Sequence, residues 1–284
     1  MTLATEQGDA RINPKADRRR NRRGLRDFAS RLAAQWRVIR ALMIRDMMSR
    51  YGRENIGFLW LIGEPVLLIG GIIVLWSLMK GTVTHGISVV TFALTGYSML
   101  TLWRHLISRG TNALKLNTGL LFHQNVRVLD TIIAQILMEM ISTFLSFLLC
   151  YVLLYIFGYV EMVYDPLTMA LAWIMMTMFG GGAALCLGGL VQASNAVERM
   201  LQPVMYFTLP LTGAFYLVDW LPEQGRQFVL LFPMVHAQEM FRAGFIGPRL
   251  TFYYDGWYLF LSSLISLGIG LSVIKYAERK LHVG

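Results

Sequence analysis

Residues 129–157 read LDTIIAQILMEMISTFLSFLLCYVLLYIF, with only Asp130 and Glu139 charged. A bilayer span needs roughly 20 consecutive apolar residues. At ~1.5 Å per residue this run reaches about 43 Å as a helix, so its first turns stand outside the hydrocarbon. Glu139 falls well inside it. A carboxylate at that depth costs several kcal/mol unless it faces protein or water. The stretch therefore predicts a membrane helix with one polar face turned away from lipid.

Working outward, five more segments qualify or nearly so: 56–79, 87–107, 167–191, 202–218 and 257–274. The chain as a whole agrees. Its mean hydropathy is +0.50, and 55% of its 284 residues are hydrophobic against 15% charged. Soluble chains run closer to a quarter charged. The fifth segment is short and contains Pro203 and Pro210, which predicts a kink. No apolar core precedes Ile56, so the first run is expected to be a retained span and not a signal peptide. Cys150 and Cys186 both lie in apolar runs and read as packing residues, not a disulfide framework.

Loop charge predicts orientation. Segments on one side of the six spans carry twenty-two Lys and Arg, and those on the other carry four. The basic excess stays in the cytoplasm, so both termini are expected there. The net charge of +9 is then a topology signal and does not point to nucleic acid. Residues 1–26, which include ADRRRNRRGLR, read as a disordered basic tail attracted to anionic headgroups. Residues 27–55 form the next unit. Phe28, Leu32, Trp36, Ile39, Met43 and Met47 share one helical face, with Arg31, Arg37, Arg40 and Arg45 opposite, the pattern of a helix lying in the membrane interface or packed on a partner. Residues 56–284 form the six-span unit. The fold class is all-α integral membrane.

Four places depart from a plain bundle. Arg50 and Arg53 stand where chain meets bilayer, suited either to ordinary anchoring or to phosphate oxygens. Glu64-Pro65 brings a carboxylate and a helix breaker into the first span, so that face should meet other helices, a second subunit or a polar conduit. Residues 108–128 are too polar to span; Ala113, Leu114, Leu116, Leu120, Leu121 and Phe122 suggest a short amphipathic cytoplasmic helix, broken near Asn117-Thr118-Gly119, that docks something or packs under the bundle. Residues 219–256 hold two apolar halves split at Pro233, each too short to span and suited to a re-entrant segment. There His236, Glu239 and Arg242 share one broad face, needing water, a polar ligand or each other. One His and one Glu do not complete a zinc site. The glycines at 180–182 and 188–189 read as close helix packing, not phosphate binding. There is no G-x-x-x-x-G-K-[ST], H-E-x-x-H or G-x-S-x-G motif.

Three stretches carry a family resemblance: MIRDMMSRYGRENIGFLWLIGEP (43–65), LLFHQNVRVLDTIIA (120–134) and LLFPMVHAQEMFR (230–242). Over about residues 35–282 the chain resembles the membrane subunit of capsular polysaccharide exporters, the KpsM-type ABC-2 permeases of type V exporter architecture. The resemblance implies a homodimer in the bacterial inner membrane, two copies of a separate ATPase, and a conduit between permease protomers. It implies no cofactor in this chain, with ATP and Mg bound by the ATPase. The cargo it implies is an acidic polysaccharide on a lipid anchor, passed on to periplasmic and outer-membrane export proteins. By the same resemblance Arg50 and Arg53 form the substrate entrance, and Glu64 and Pro65 face the conduit or protomer interface. Residues 110–124, with Leu116, Leu120, Leu121 and Phe122, couple to the ATPase. Residues 222–245, with Pro233, His236, Glu239 and Arg242, form the re-entrant periplasmic segment. Competing expectations are an ABC-2 permease for O-antigen or teichoic acid, and an integral-membrane glycan-processing enzyme using His236 and Glu239. No acidic metal-binding pair in a loop supports the enzyme.

Overall fold

The computed structural model describes residues 33–48, 83–84, 86–116 and 128–281, and isolated positions 67, 70, 71, 74 and 78, all five helical. Residues 33–48 form helix α1. A two-stranded antiparallel hairpin follows, β1 (Val83–Thr84) and β2 (Ile87–Ser88), with Thr84 opposite Ile87. Gly86 takes φ 80° in its turn, a conformation that costs a glycine least. Then come α2 (Val89–Leu116), α3 (Val128–Ile156), α4 (Pro166–Ala193) and α5 (Asn195–Thr208). The chain ends in α6 (Glu223–Val229), α7 (Pro233–Ile246) and α8 (Gly256–Leu281).

Among the described residues three helices are long and apolar enough to cross a membrane: Leu129–Ile156, Pro166–Gln192 and Gly256–Ala277. They correspond to the expected third, fourth and sixth spans. Two expected spans differ in form. The second continues unbroken to Leu116, through residues 108–116 that the sequence places in a separate cytoplasmic helix. The fifth, expected at 202–218, is not one helix. The α-helix ends at Thr208, a 3-10 turn follows at Pro210–Thr212, and Gly213 adopts φ 77°. Pro210 has no amide hydrogen to continue the ladder.

Helix α4 is the central element and packs against α2, α7 and α8, while α3 packs on α2. Its glycines set these contacts. A Cβ on Gly182 would meet the backbone of Ser266 and Leu267 at 2.4 and 2.5 Å, and one on Gly180 would meet Leu106 at 2.8 Å. Ser263 and Ser266 of α8 donate to the carbonyls of Met175 and Phe179. Close backbone approach and interhelical hydroxyl bonds hold helices together where lipid supplies no hydrophobic drive. The largest cluster joins α2, α3, α4 and α7 through Leu102, Leu106, Phe147, Trp173 and Phe241. Asp165 caps α4, accepting from the amides of Leu167 and Thr168. The Thr168 hydroxyl beside it holds the Asp165 carboxyl below the usual range. Helix α1 buries Ile39 and Leu42 against Ala134 and its neighbours on α3. Trp36 and Met47, from the same expected apolar stripe, are exposed.

Candidate functional site

Pro233 occupies the first turn of α7, where its missing amide costs nothing and its fixed φ favours a helix start. Helix α7 is buried along nearly its whole length. Gly244 lets it press on the start of α4: a Cβ there would lie 2.6 Å from the Met169 nitrogen. Asp165 and Tyr164 donate backbone bonds to the carbonyls of Gly244 and Phe245.

Within this apolar setting lie two charged side chains with no exposure. Arg242 donates from Nη1 to the carbonyls of Gly213 (2.9 Å) and Tyr216 (2.6 Å), and from Nη2 to that of Ala214 (2.8 Å). Its guanidinium carbon stands 4.3 Å from the centre of the Phe92 ring. Glu239 lies 3.8 Å from Arg242 Nη1. Its two oxygens accept the amides of Val218 (3.4 Å) and Tyr253 (3.2 Å). The pair thus satisfies backbone groups that leave the regular ladder where α5 ends and before α8 begins. Buried orphan carbonyls and amides cost as much as lost hydrogen bonds. Burial pushes the Glu239 carboxyl up, against the opposing pull of Arg242.

His236 completes the row. Its Nε2 is 2.7 Å from the Leu230 carbonyl, which only accepts, so Nε2 carries the hydrogen. Its Nδ1 accepts from the Asp255 amide at 2.9 Å. Both nitrogens are used by a neutral ring, and burial holds the imidazole below its ordinary value. The shared face expected for His236, Glu239 and Arg242 is present. It faces polypeptide: the three side chains tie α7 to the 213–218 turn, the α6–α7 junction and the start of α8.

A second buried carboxylate lies on α3. Glu139 is 1% exposed and meets His105 Nδ1 at 3.2 Å and Arg109 Nε at 3.9 Å, both from α2. Gln135 donates to it at 2.8 Å. Both partners of Glu139 come from α2, and Arg109 stands on the same helix as His105 because that helix does not stop near residue 107. His105 and Arg109 are four residues apart, so they share a face, and that spacing is the signal a continuous-helix reading uses.

Arg50, Arg53, Glu64, Pro65, Leu120, Leu121 and Phe122 lie outside the described residues. Leu116 is the last residue of α2. Among the described residues no three His, Cys, Asp or Glu side chains gather as a metal ion requires.

Residues 37–246 match the ABC-2 type transporter family, ending at the last residue of α7. The chain belongs to that family. It is similar to the capsule polysaccharide export inner-membrane protein CtrC of Neisseria meningitidis serogroup A, 38% identical over 247 residues, which is 87% of this chain and 93% of the relative. The capsule polysaccharide export inner-membrane protein BexB of Haemophilus influenzae is 35% identical over 248 residues, 87% of this chain and 94% of that one. The polysialic acid transport protein KpsM of Escherichia coli is 25% identical over 248 residues, 85% and 93% of the two chains.

Proposed function

We propose that the chain is the transmembrane subunit of an ATP-driven exporter that carries a lipid-linked acidic capsular polysaccharide across the bacterial inner membrane. The observation that carries this reading is the 38% identity to a capsule export inner-membrane protein across 87% of the chain. The more distant likeness to a polysialic acid transport protein supports an acidic cargo, since each sialic acid bears a carboxylate. The chain works as a homodimer of six-span protomers with both termini in the cytoplasm. Two copies of a separate ATPase bind ATP and Mg, and periplasmic and outer-membrane export proteins receive the product.

The fold suits this task. Arg50 and Arg53 meet the anionic lipid anchor at the cytoplasmic interface, and Glu64-Pro65 turns the polar side of the first span inward. The coupling element, residues 110–124, begins inside α2, whose last residue is Leu116. Force from ATP-driven closure of the ATPases then acts along a 28-residue helix that packs on both α3 and α4. At the other face α6 and α7 form a re-entrant hairpin that rests on the His236–Glu239–Arg242 row, a positioning device that holds the end of α5 in place.

Deleting the gene tests the reading. Surface capsule is lost and lipid-linked glycan accumulates inside, and both revert on complementation. Normal capsule on the deletion strain would contradict it.

A further inference from the structure

Two adjacent carbonyls at the α6–α7 junction, Leu230 and Leu231, accept from side chains. Leu230 takes the hydrogen of His236 Nε2 and Leu231 that of the Tyr258 hydroxyl, each at 2.7 Å. The His236 and Tyr258 rings stand 4.9 Å apart, centre to centre. Tyr258 belongs to the first turn of α8, so the start of α8 clasps the hairpin. Asp255 closes the clasp. Its amide donates to His236 Nδ1 at 2.9 Å. Its carboxylate caps α8, Oδ1 accepting from the amides of Trp257 (2.9 Å) and Tyr258 (3.1 Å). One residue thus joins the imidazole to the end of a span.

This arrangement requires a neutral ring. A protonated imidazole donates from both nitrogens. Nε2 keeps Leu230, but Nδ1 then sets a hydrogen against the Asp255 amide, donor against donor. An anionic acceptor lies in the same residue, the Asp255 carboxylate, and turning it to the ring takes it from the amides of Trp257 and Tyr258. Gly256 follows, with open space around its α-carbon, so the backbone can turn there without displacing a neighbour. The ring itself is buried, while Asp255, Trp257 and Tyr258 are exposed, and water reaches the clasp through them. The titratable and charged groups on the elements packed around the ring are Glu239 on its own helix, Glu223 and Arg226 on α6, and Tyr253, Asp255 and Tyr258 at the entry to α8. Glu239 is paired with Arg242, and Glu223 with Arg226. The Asp255 charge acts on the ring: burial lowers the readiness of His236 to take a proton, and the Leu230 carbonyl and Asp255 oppose that.

Resting on the export reading, which puts this end of the bundle on the periplasmic side, we propose that His236, Asp255 and the first turn of α8 form an acid-responsive clasp: a proton taken up by His236 from the periplasm releases the start of α8 from the α6–α7 hairpin and slows export. The two hydrogen-bond sets are mutually exclusive, which gives the clasp two states for the proton to choose between. Release matters beyond the junction, because α7 also carries the Glu239–Arg242 pair that holds the turn after α5. A glutamine at residue 236 would make both bonds of the neutral ring; the imidazole makes them conditional on pH.

The test uses the full permease–ATPase complex in proteoliposomes with the ATPase outward, so that the lumen is the periplasmic side. Lumen pH is set by the loading buffer to about 7.5 or about 5, spanning the histidine range, while the outside stays at about 7.5. ATP-dependent uptake of acidic glycolipid from the producing strain is measured for the native protein and His236→Gln. Native uptake is expected to fall about threefold or more with the acid lumen, and that of His236→Gln to hold its neutral rate. Equal pH responses of the two overturn the proposal and leave the export reading intact. Asp255→Asn keeps a capping oxygen and removes the anion, so its response is expected at lower pH than the native one; an unmoved midpoint overturns the proposal, whether or not His236→Gln reaches the membrane. Absence of native uptake at both pH values overturns the export reading itself. The clasp is then decided by hydrogen exchange of purified native and His236→Gln permease at matched pH, which cancels the intrinsic exchange rate. Faster exchange at Trp257 and Tyr258 in the native protein at acid pH, with equal exchange at neutral pH, is the expected result. Equal exchange at both pH values overturns the proposal.

Discussion

Truncating Arg242 to alanine separates a structural from a transport role for the α7 row. The change removes three hydrogen bonds to the carbonyls of Gly213, Ala214 and Tyr216. It also strands Glu239, which is 0% exposed. Hydrogen bonds to charged groups are worth ~1.5–3 kcal/mol each, but their sum overstates the loss, because the unfolded chain recovers some of them in water. Breaking one partner of a buried pair costs about 3–5 kcal/mol, which we take as the net figure. Against a total stability of roughly 5–15 kcal/mol that is decisive. At ~2–4 °C per kcal/mol for a chain of this order, the melting temperature in detergent falls by about 6–20 °C. Membrane abundance, ATPase co-purification and surface capsule all fall in step. Arg242→Lys recovers part of the loss, since an ammonium replaces the charge but not the fork. Arg242→Met combined with Glu239→Gln also recovers part, because no ionised group is left unpaired. The assay is thermal unfolding of detergent-purified protein beside quantified membrane level and capsule. Arg242→Ala with native melting and abundance but lost capsule would refute the reasoning and place the guanidinium on the glycan's path.

Three further outcomes follow from particular contacts. Gly96→Ala should mimic the loss of Arg242, because its Cβ would meet the Ala214 carbonyl oxygen at 2.5 Å and Arg242 Nη2 at 2.9 Å; reduced membrane level and melting temperature check it. Gly182→Val should loosen α8 from α4, where even a Cβ would stand 2.4 Å from the Ser266 carbonyl carbon, and protease sensitivity of α8 reports it. The His236 imidazole is held below its ordinary 6.5 by burial, so the unfolded chain takes up the proton first and stability falls as pH drops below about 6.5. Melting temperature between pH 7 and pH 5 should therefore decline more steeply for the native protein than for His236→Gln, and equal slopes would show that His236 is not the group responsible.

Much of the bundle is legible in the sequence because one physical demand governs both faces of its long helices. In α4 and α8 the packed side and the lipid side are both largely apolar, and α3, although its packed side carries Gln135, Glu139, Ser142, Thr143 and Ser146, is apolar enough over its length that composition marks all three. Asp165-Pro166 and Ser194 mark the ends of α4 as local capping chemistry. Helix α2 is harder. Its packed side is apolar and its exposed side polar, so residues 104–112 look like the approach to a loop although Leu106, Ile107, Gly110 and Thr111 are buried there. The fifth segment is half readable: Pro210, which the sequence marks as a kink, opens the 3-10 turn that follows the α-helix, but hydropathy does not register the left-handed turn at Gly213. The face shared by His236, Glu239 and Arg242 is readable from spacing. Their partners are not, because the acceptors of Arg242 are backbone carbonyls 26 to 29 residues away and no side-chain pattern records a carbonyl.

The central claim is transport, and reconstituted movement of cargo tests it most directly. Proteoliposomes carrying the purified permease and its ATPase receive acidic glycolipid and ATP on the ATPase side. The account predicts time-dependent protection of the glycan from an added glycan-degrading enzyme, requiring ATP and the permease together. Glycan that stays fully accessible while ATP is consumed, or protection that proceeds equally without the permease, would contradict it.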